Sequence, residues 1–247
     1  MIYAILLSVT LAHANYPINS NPKPIDDKLL VIIQGFKVFM HASGAISFKA
    51  KFHIDADGSP RAYGPNDTGL DATNNAKDKY GNWVGVMTDS LNNPIVQKEG
   101  DPYPNLYVSQ TSLFDEKYPL SDTRRFVNSE KIPYIALPPD LLTLSGINLG
   151  DITYAYNPTT QKGCYAIFAD IGREGQLGEG SIYLAKMLGI TNLNPRVGGL
   201  DGEAIQYVIF PKTGLGNGKH RTIAEINQIG KAKMLSIGGT VSILKGL

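Results

Sequence analysis

Apolar and polar residues alternate most strictly between Ala45 and Ile54. Ile46, Phe48, Ala50, Phe52 and Ile54 interleave there with Ser47, Lys49, Lys51 and His53. A period of two over that length predicts a strand with one buried and one wet face. Shorter apolar runs predict strands at 29–33 and 37–41, broken at Gly35, and at 83–88, 106–109 and 204–210. Another runs from Ile132 to Leu137 and stops at Pro138-Pro139. Residues 151–156 and 163–170 read as a hairpin joined through Asn157-Pro-Thr-Thr-Gln-Lys162. The period changes after residue 180. Ile182, Leu184, Ala185, Leu188 and Ile190 fall near helical spacing, and Thr222-Ile-Ala-Glu225 is a capping box that opens a helix to about Lys233. Segments 63–82 and 89–131 are rich in Asn, Asp, Gly and Pro and predict long loops, and the apolar tail 236–244 predicts an edge strand. Many short strands, long loops and two modest helices predict a mainly β barrel rather than an alternating α/β protein.

Composition narrows the picture. The chain of 247 residues suits one large domain, taken as 29–247, preceded by a polar, proline-containing arm over 15–28. Residues 1–14 have the short apolar core and the Ala12-His13-Ala14 ending of a secretory signal peptide, although no Lys or Arg precedes that core. A secreted or periplasmic protein is expected. No later run is long enough to span a membrane. The 23 basic residues nearly balance the 22 acidic ones, giving a formal charge of +1. That balance, without any basic cluster, argues against a nucleic-acid surface. It also gives no global attraction for a polycation, so any such preference must come from acids gathered locally. The single cysteine, Cys164, rules out an internal disulfide and is read as a small core residue.

The stretch Tyr165-Ala-Ile-Phe-Ala-Asp170 followed by Gly172, Gly175, Gly178 and Glu179 carries the candidate chemistry. It reads as a buried strand ending on a carboxylate, a glycine loop, a second carboxylate and a helix. Two carboxyls held at a fixed separation are what glycoside hydrolysis requires, one protonated and one ionised. Two surface acids flanking a turn would give the same spacing. Asp55-Ala-Asp57-Gly58 repeats the motif of a strand that ends in acids. It lacks the ligand series and closing Glu of an EF-hand, so no metal or other cofactor is assigned. His53 falls on the polar side of its strand and is read as solvated. Trp83, the only tryptophan, fits either the core or a sugar-stacking role. No Gly-x-Ser-x-Gly elbow and no His-x-x-x-His spacing supports a serine or metal hydrolase.

The Asp170–Glu179 region resembles the catalytic region of glycoside hydrolase family 75, the fungal and bacterial chitosanases. The segments Asp55-Ala-Asp57-Gly-Ser-Pro-Arg-Ala-Tyr63, Leu70-Asp71-Ala72, Tyr107-Val-Ser109-Gln-Thr111-Ser112, Tyr134-Ile-Ala-Leu-Pro138 and Val208-Ile-Phe-Pro211 are similar to the family in the same order, over roughly residues 45 to 215. The resemblance implies a six-stranded double-psi-like barrel with two or three short helices. It also implies an inverting enzyme cleaving chitosan or a related amino-sugar polysaccharide; an endo-acting monomer is expected, though the sequence itself fixes neither the site of cleavage along the polymer nor the oligomeric state. Asp170 and Glu179 would be the catalytic acids, and Asp55, Asp57, Tyr63, Asp71, Ser109 and Thr111 would bind substrate; Trp83 joins them as a candidate on its stacking chemistry alone. The lone cysteine departs from the disulfide-bearing fungal members and looks more like a bacterial relative. On placement alone, Glu179 in the first turn of a helix suits the ionised base, and Asp170 at the end of an apolar strand suits the protonated acid. The opposite assignment stays open. Two other readings compete: a peptidoglycan-acting lytic enzyme on the same barrel, and a carbohydrate-binding protein without activity.

Overall fold

The computed structural model describes residues 27–239. The expected signal peptide, nearly all of the expected arm and the end of the apolar tail lie outside them. The chain opens with a hairpin of β1 (Lys28–Ile33) and β2 (Phe36–Met40), turned by Gln34 and Gly35, both at positive φ. The long alternating strand β3 (Ile46–Asp55) follows. After a loop of about eighty residues come β4 (Tyr134–Leu137), helix α1 (Pro139–Ser145), β5 (Ile152–Asn157), β6 (Lys162–Ile171) and β7 (Glu179–Ser181). Helix α2 (Ile182–Met187), β8 (Gly199–Phe210) and helix α3 (Ile223–Ser236) complete the described chain.

Six strands close on themselves in the order β3-β7-β4-β6-β5-β8, with β8 pairing back onto β3. Pairs β3–β7 and β4–β6 are parallel and the rest of the ring is antiparallel. The patterning predicted a β barrel and the family resemblance six strands, and the ring has both; closure leaves no free edge within it. The β1–β2 hairpin extends the sheet beyond β3.

Side-chain alternation divides the strands between two apolar clusters. Phe48 and Phe52 of β3 pack with Phe168 of β6 and Tyr207 of β8. Their chain neighbours Ile167 and Val208 belong to a second cluster with Tyr134, under Ile226 and Met234 of α3. The Thr222–Glu225 capping box is formed as the sequence implies.

Several local expectations need correction. Residues 83–88 and 106–109 form isolated bridges, Val86 to Ser109 and Val96 to Tyr107, not continuous strands. The intervening prolines and glycines prevent longer ladders. Helix α1 begins at Pro139, where a proline pair was read only as a strand stop. Proline suits the first helical position because its missing N–H would have no partner there. Strand β8 begins at Gly199, earlier than Ala204, and carries a bulge opposite Lys51. Ser236 ends α3 instead of opening a strand, and 240–244 lies outside the described residues.

Candidate active site

Strand register gathers the acids. Asp170 of β6 and Glu179 of β7 both pair with Ala136 of β4, the strand between them. Glu179 also pairs with His53 of β3, so His53, Glu179, Ala136 and Asp170 form one row across four strands. Paired residues present their side chains on the same face, and two strand spacings put the Asp170 and Glu179 backbones roughly 9.6 Å apart. The row depends on a bulge. Ile135 pairs with Phe168 but Ala136 pairs with Asp170, so Ala169 is the extra residue on β6 and Asp170 is re-aimed by one position. The Ala169 carbonyl accepts a hydrogen bond from Leu113 N at 2.8 Å, anchoring the bulge to the long loop.

Glu179 stands in β7 and not in a helical first turn; α2 begins three residues later, capped by the Ser181 hydroxyl. The dipole argument for an ionised Glu179 therefore loses its basis. The preceding Gly178 has φ 92°, and a Cβ there would lie 2.2 Å from the Lys51 carbonyl. Only glycine lets the loop enter β7 this close to β3.

The row opens into a cleft of about 970 Å³. Asp170, Glu179, Asp55, Asp57, Tyr63 and Asp71 all line it, and so does His53, which is exposed there as its alternation implied. Trp83, Ser109 and Thr111 do not line it. Trp83 packs edge-on against Tyr107, with Lys77 Nζ 4.3 Å from its ring centroid. Ser109 accepts from Gly58 N and donates to the Gly85 carbonyl, while Thr111 accepts from Val127 N and donates to the Leu113 carbonyl. These two hydroxyls hold the loops behind the cleft.

The two principal carboxyls have different surroundings. Asp170 Oδ1 accepts from Ser112 N (2.8 Å), Ser112 Oγ (2.7 Å) and Ile171 N (3.0 Å). Burial raises its pKa to about 6, and those donors hold it down against that rise. No described group donates a hydrogen bond to Glu179. Burial and the neighbouring Asp170 charge raise it to about 7, with Arg173 and Lys51 opposing. The environment thus favours the anion at Asp170 and the acid at Glu179, the reverse of the roles suggested by local sequence.

Asp55 and Asp57 complete the floor. Asp55 Oδ1 accepts from Asp57 N at 2.8 Å. The Asp57 carboxyl sits against Gly85, where a Cβ would come within 2.7 Å of its Oδ1, and that oxygen has no hydrogen-bond partner among the described residues. Both acids lie well above the ordinary carboxylate range, first through burial and then through their acidic neighbours. One oxygen each from Asp55, Asp57 and Asp170 lie within 4.8 Å of one another, close enough to share protons or to hold a small cation. Asp71 is raised by burial while accepting from Ala72 N and Asn75 Nδ2.

Three loops wall the cleft, and residues unmarked by any sequence motif tie them together. The Arg196 guanidinium donates to the carbonyls of Asp67, Gly69, Leu70 and Asp71. Arg173 donates to the Asn75 carbonyl, and Lys79 lies 3.9 Å from Glu174. Ser112, inside a quoted motif, gave no sign by type or spacing that it would hold Asp170. No described helix is long and apolar enough to cross a membrane. Comparison with protein-family models and with curated proteins finds no match, so the likeness to glycoside hydrolase family 75 stands on the quoted motifs alone.

Proposed function

We propose that this protein is a glycosidase that cleaves β-1,4-linked glucosamine polymers with inversion, Glu179 acting as general acid and Asp170 as general base. The observation that carries the reading is the shared register of both residues with Ala136. A gap of two strands, with only a methyl group between, suits the roughly 6.5–9.5 Å between carboxyls that admits a water beside the sugar. Glu179 gives its proton to the glycosidic oxygen as the C1–O bond breaks. Asp170 takes a proton from the water whose oxygen attacks C1 from the opposite face, and solvent exchange restores both groups.

Local charge supports an amino sugar. Eight Asp and Glu residues line the cleft against four Lys and Arg, and with Asp55, Asp57 and Glu179 protonated the other five still outnumber the cations, in a chain whose overall charge is +1. An acidic cleft on a nearly neutral protein concentrates a cationic polymer where it is cut.

The test is product analysis after incubation with glucosamine oligomers, beside bacterial sacculi. The expected result is shorter glucosamine oligomers whose new reducing ends first appear as the α-anomer by NMR. Asp170→Asn and Glu179→Gln should each lower kcat by about 10²-fold or more. Absence of turnover, or near-wild-type rates for both variants, defeats the proposal. Release of anhydro-sugars from sacculi would transfer it to lytic chemistry.

A further inference from the structure

Among the described residues, the most exposed aromatic ring lies in the cleft. Tyr80 is 78% exposed and lines the same cavity as Asp170 and Glu179. An aromatic face left open in a cleft is available to stack on the ring of a ligand. The backbone that carries the ring is held in place. Asp78 Oδ1 accepts from Tyr80 N (2.8 Å) and Asn82 N (2.9 Å), and Asp78 Oδ2 accepts from Asn82 Nδ2 (3.0 Å). Gly81 N closes the turn on the Asp78 carbonyl, and Asp78 N returns to the Asn82 carbonyl. Tyr80 therefore projects from a knuckle fixed at its base. Lys79, beside it, lies 5.4 Å from the ring centroid and reaches Glu174 on the opposing loop.

We infer that Tyr80 is a sugar-stacking platform at the outer lip of the cleft, which holds a pyranose unit remote from the bond being cut. The inference rests on the glycosidase reading for its ligand class. A β-1,4-linked pyranose carries its substituents equatorially, so its axial C–H bonds form an apolar face that matches the face of a phenol ring. The same geometry leaves the amino group at the ring edge, towards Asp78 and the other lip acids. The cleft volume of about 970 Å³ lies at the upper end for small-ligand sites, which leaves room for more units than the scissile pair. The buried carboxyls on the floor and the exposed ring on the lip thus divide the work: the floor cuts and the lip holds a long chain. A polymer should be a better substrate than a dimer because of the lip.

The experiment compares wild type, Tyr80→Phe and Tyr80→Ala on glucosamine hexamer and dimer. Tyr80→Ala should raise KM for the hexamer roughly tenfold with kcat within about twofold, leave the dimer unaffected, and be rescued by Tyr80→Phe. Melting temperatures should be equal, because the side chain is exposed. Hexamer binding to Glu179→Gln, with and without Tyr80→Ala, is measured in parallel by calorimetry, independently of turnover. Equal hexamer affinity in the two, or an unchanged KM, overturns the role of Tyr80. Weaker binding on loss of Tyr80, in a protein whose wild type cuts nothing, sinks the catalytic reading and leaves the platform standing. No binding and no turnover removes both.

Discussion

Replacing Glu179 by Gln should stabilise the protein at alkaline pH while, on the proposed role, lowering kcat by about 10²-fold or more. The carboxyl is half-buried in the cleft wall, receives no hydrogen bond from a described group, and lies near Asp170, so its pKa rises from the ordinary 4.5 to about 7. In the unfolded chain it titrates near its ordinary value. Between those two values the native state binds more protons than the unfolded state, so stability falls as pH rises. Each tenfold change in proton affinity is worth about 1.4 kcal/mol, and the displacement amounts to roughly 3 kcal/mol at pH 8. Glutamine has nearly the shape of the protonated acid and never ionises. Wild type and variant should therefore melt together at pH 4, and the variant should melt roughly 6–12 °C higher at pH 8, at about 2–4 °C per kcal/mol for a domain of this size. The assay is calorimetric melting of both proteins across that range. A variant less stable than wild type at pH 8, or one with the same offset at pH 4, would refute the placement of Glu179 in a partly desolvated site without a hydrogen-bond donor. The loss of function accompanying a gain in stability is the signature of a group held in an unfavourable state for catalysis.

Other expectations follow from the same geometry. The pH profile of kcat/KM should be a bell with its maximum between about 6 and 7, rising as Asp170 ionises and falling as Glu179 loses its proton. Ser112→Ala removes a donor that favours ionised Asp170, so the acid limb should move up by about 1 in pH while the alkaline limb stays, read from rates at pH 5 and 7. Gly85→Ala places a methyl group 2.7 Å from Asp57 Oδ1 and should cost about 1–3 kcal/mol in denaturant unfolding. Arg196→Ala frees the loop over the cleft and should lower stability by about 1 kcal/mol and raise KM more than it lowers kcat, with Lys a poor substitute for the four-carbonyl fork.

Much of the scaffold was legible in residue order alone, because local rules decide it. The alternation of 45–54 made β3, the turn at Asn157–Lys162 made the β5–β6 hairpin, and the Thr222–Glu225 pair capped α3. The carboxylates at strand ends were visible for the same reason, since an acid that interrupts an apolar run stands out. What the sequence could not contain was register. Whether Asp170 faces Glu179 depends on the extra residue Ala169 in β6 and on the insertion of β4 between β6 and β7, pairings made across long stretches of chain. The acid–base roles also depended on distant partners. Three hydrogen bonds reach Asp170 from Ser112 and Ile171, one of those residues 58 positions away, and none from the described chain reaches Glu179. Side-chain periodicity is a property of neighbours along the chain. Desolvation, hydrogen-bond supply and the distance between two charges are set by groups that meet only when the barrel closes, and there the fold alone decided the chemistry.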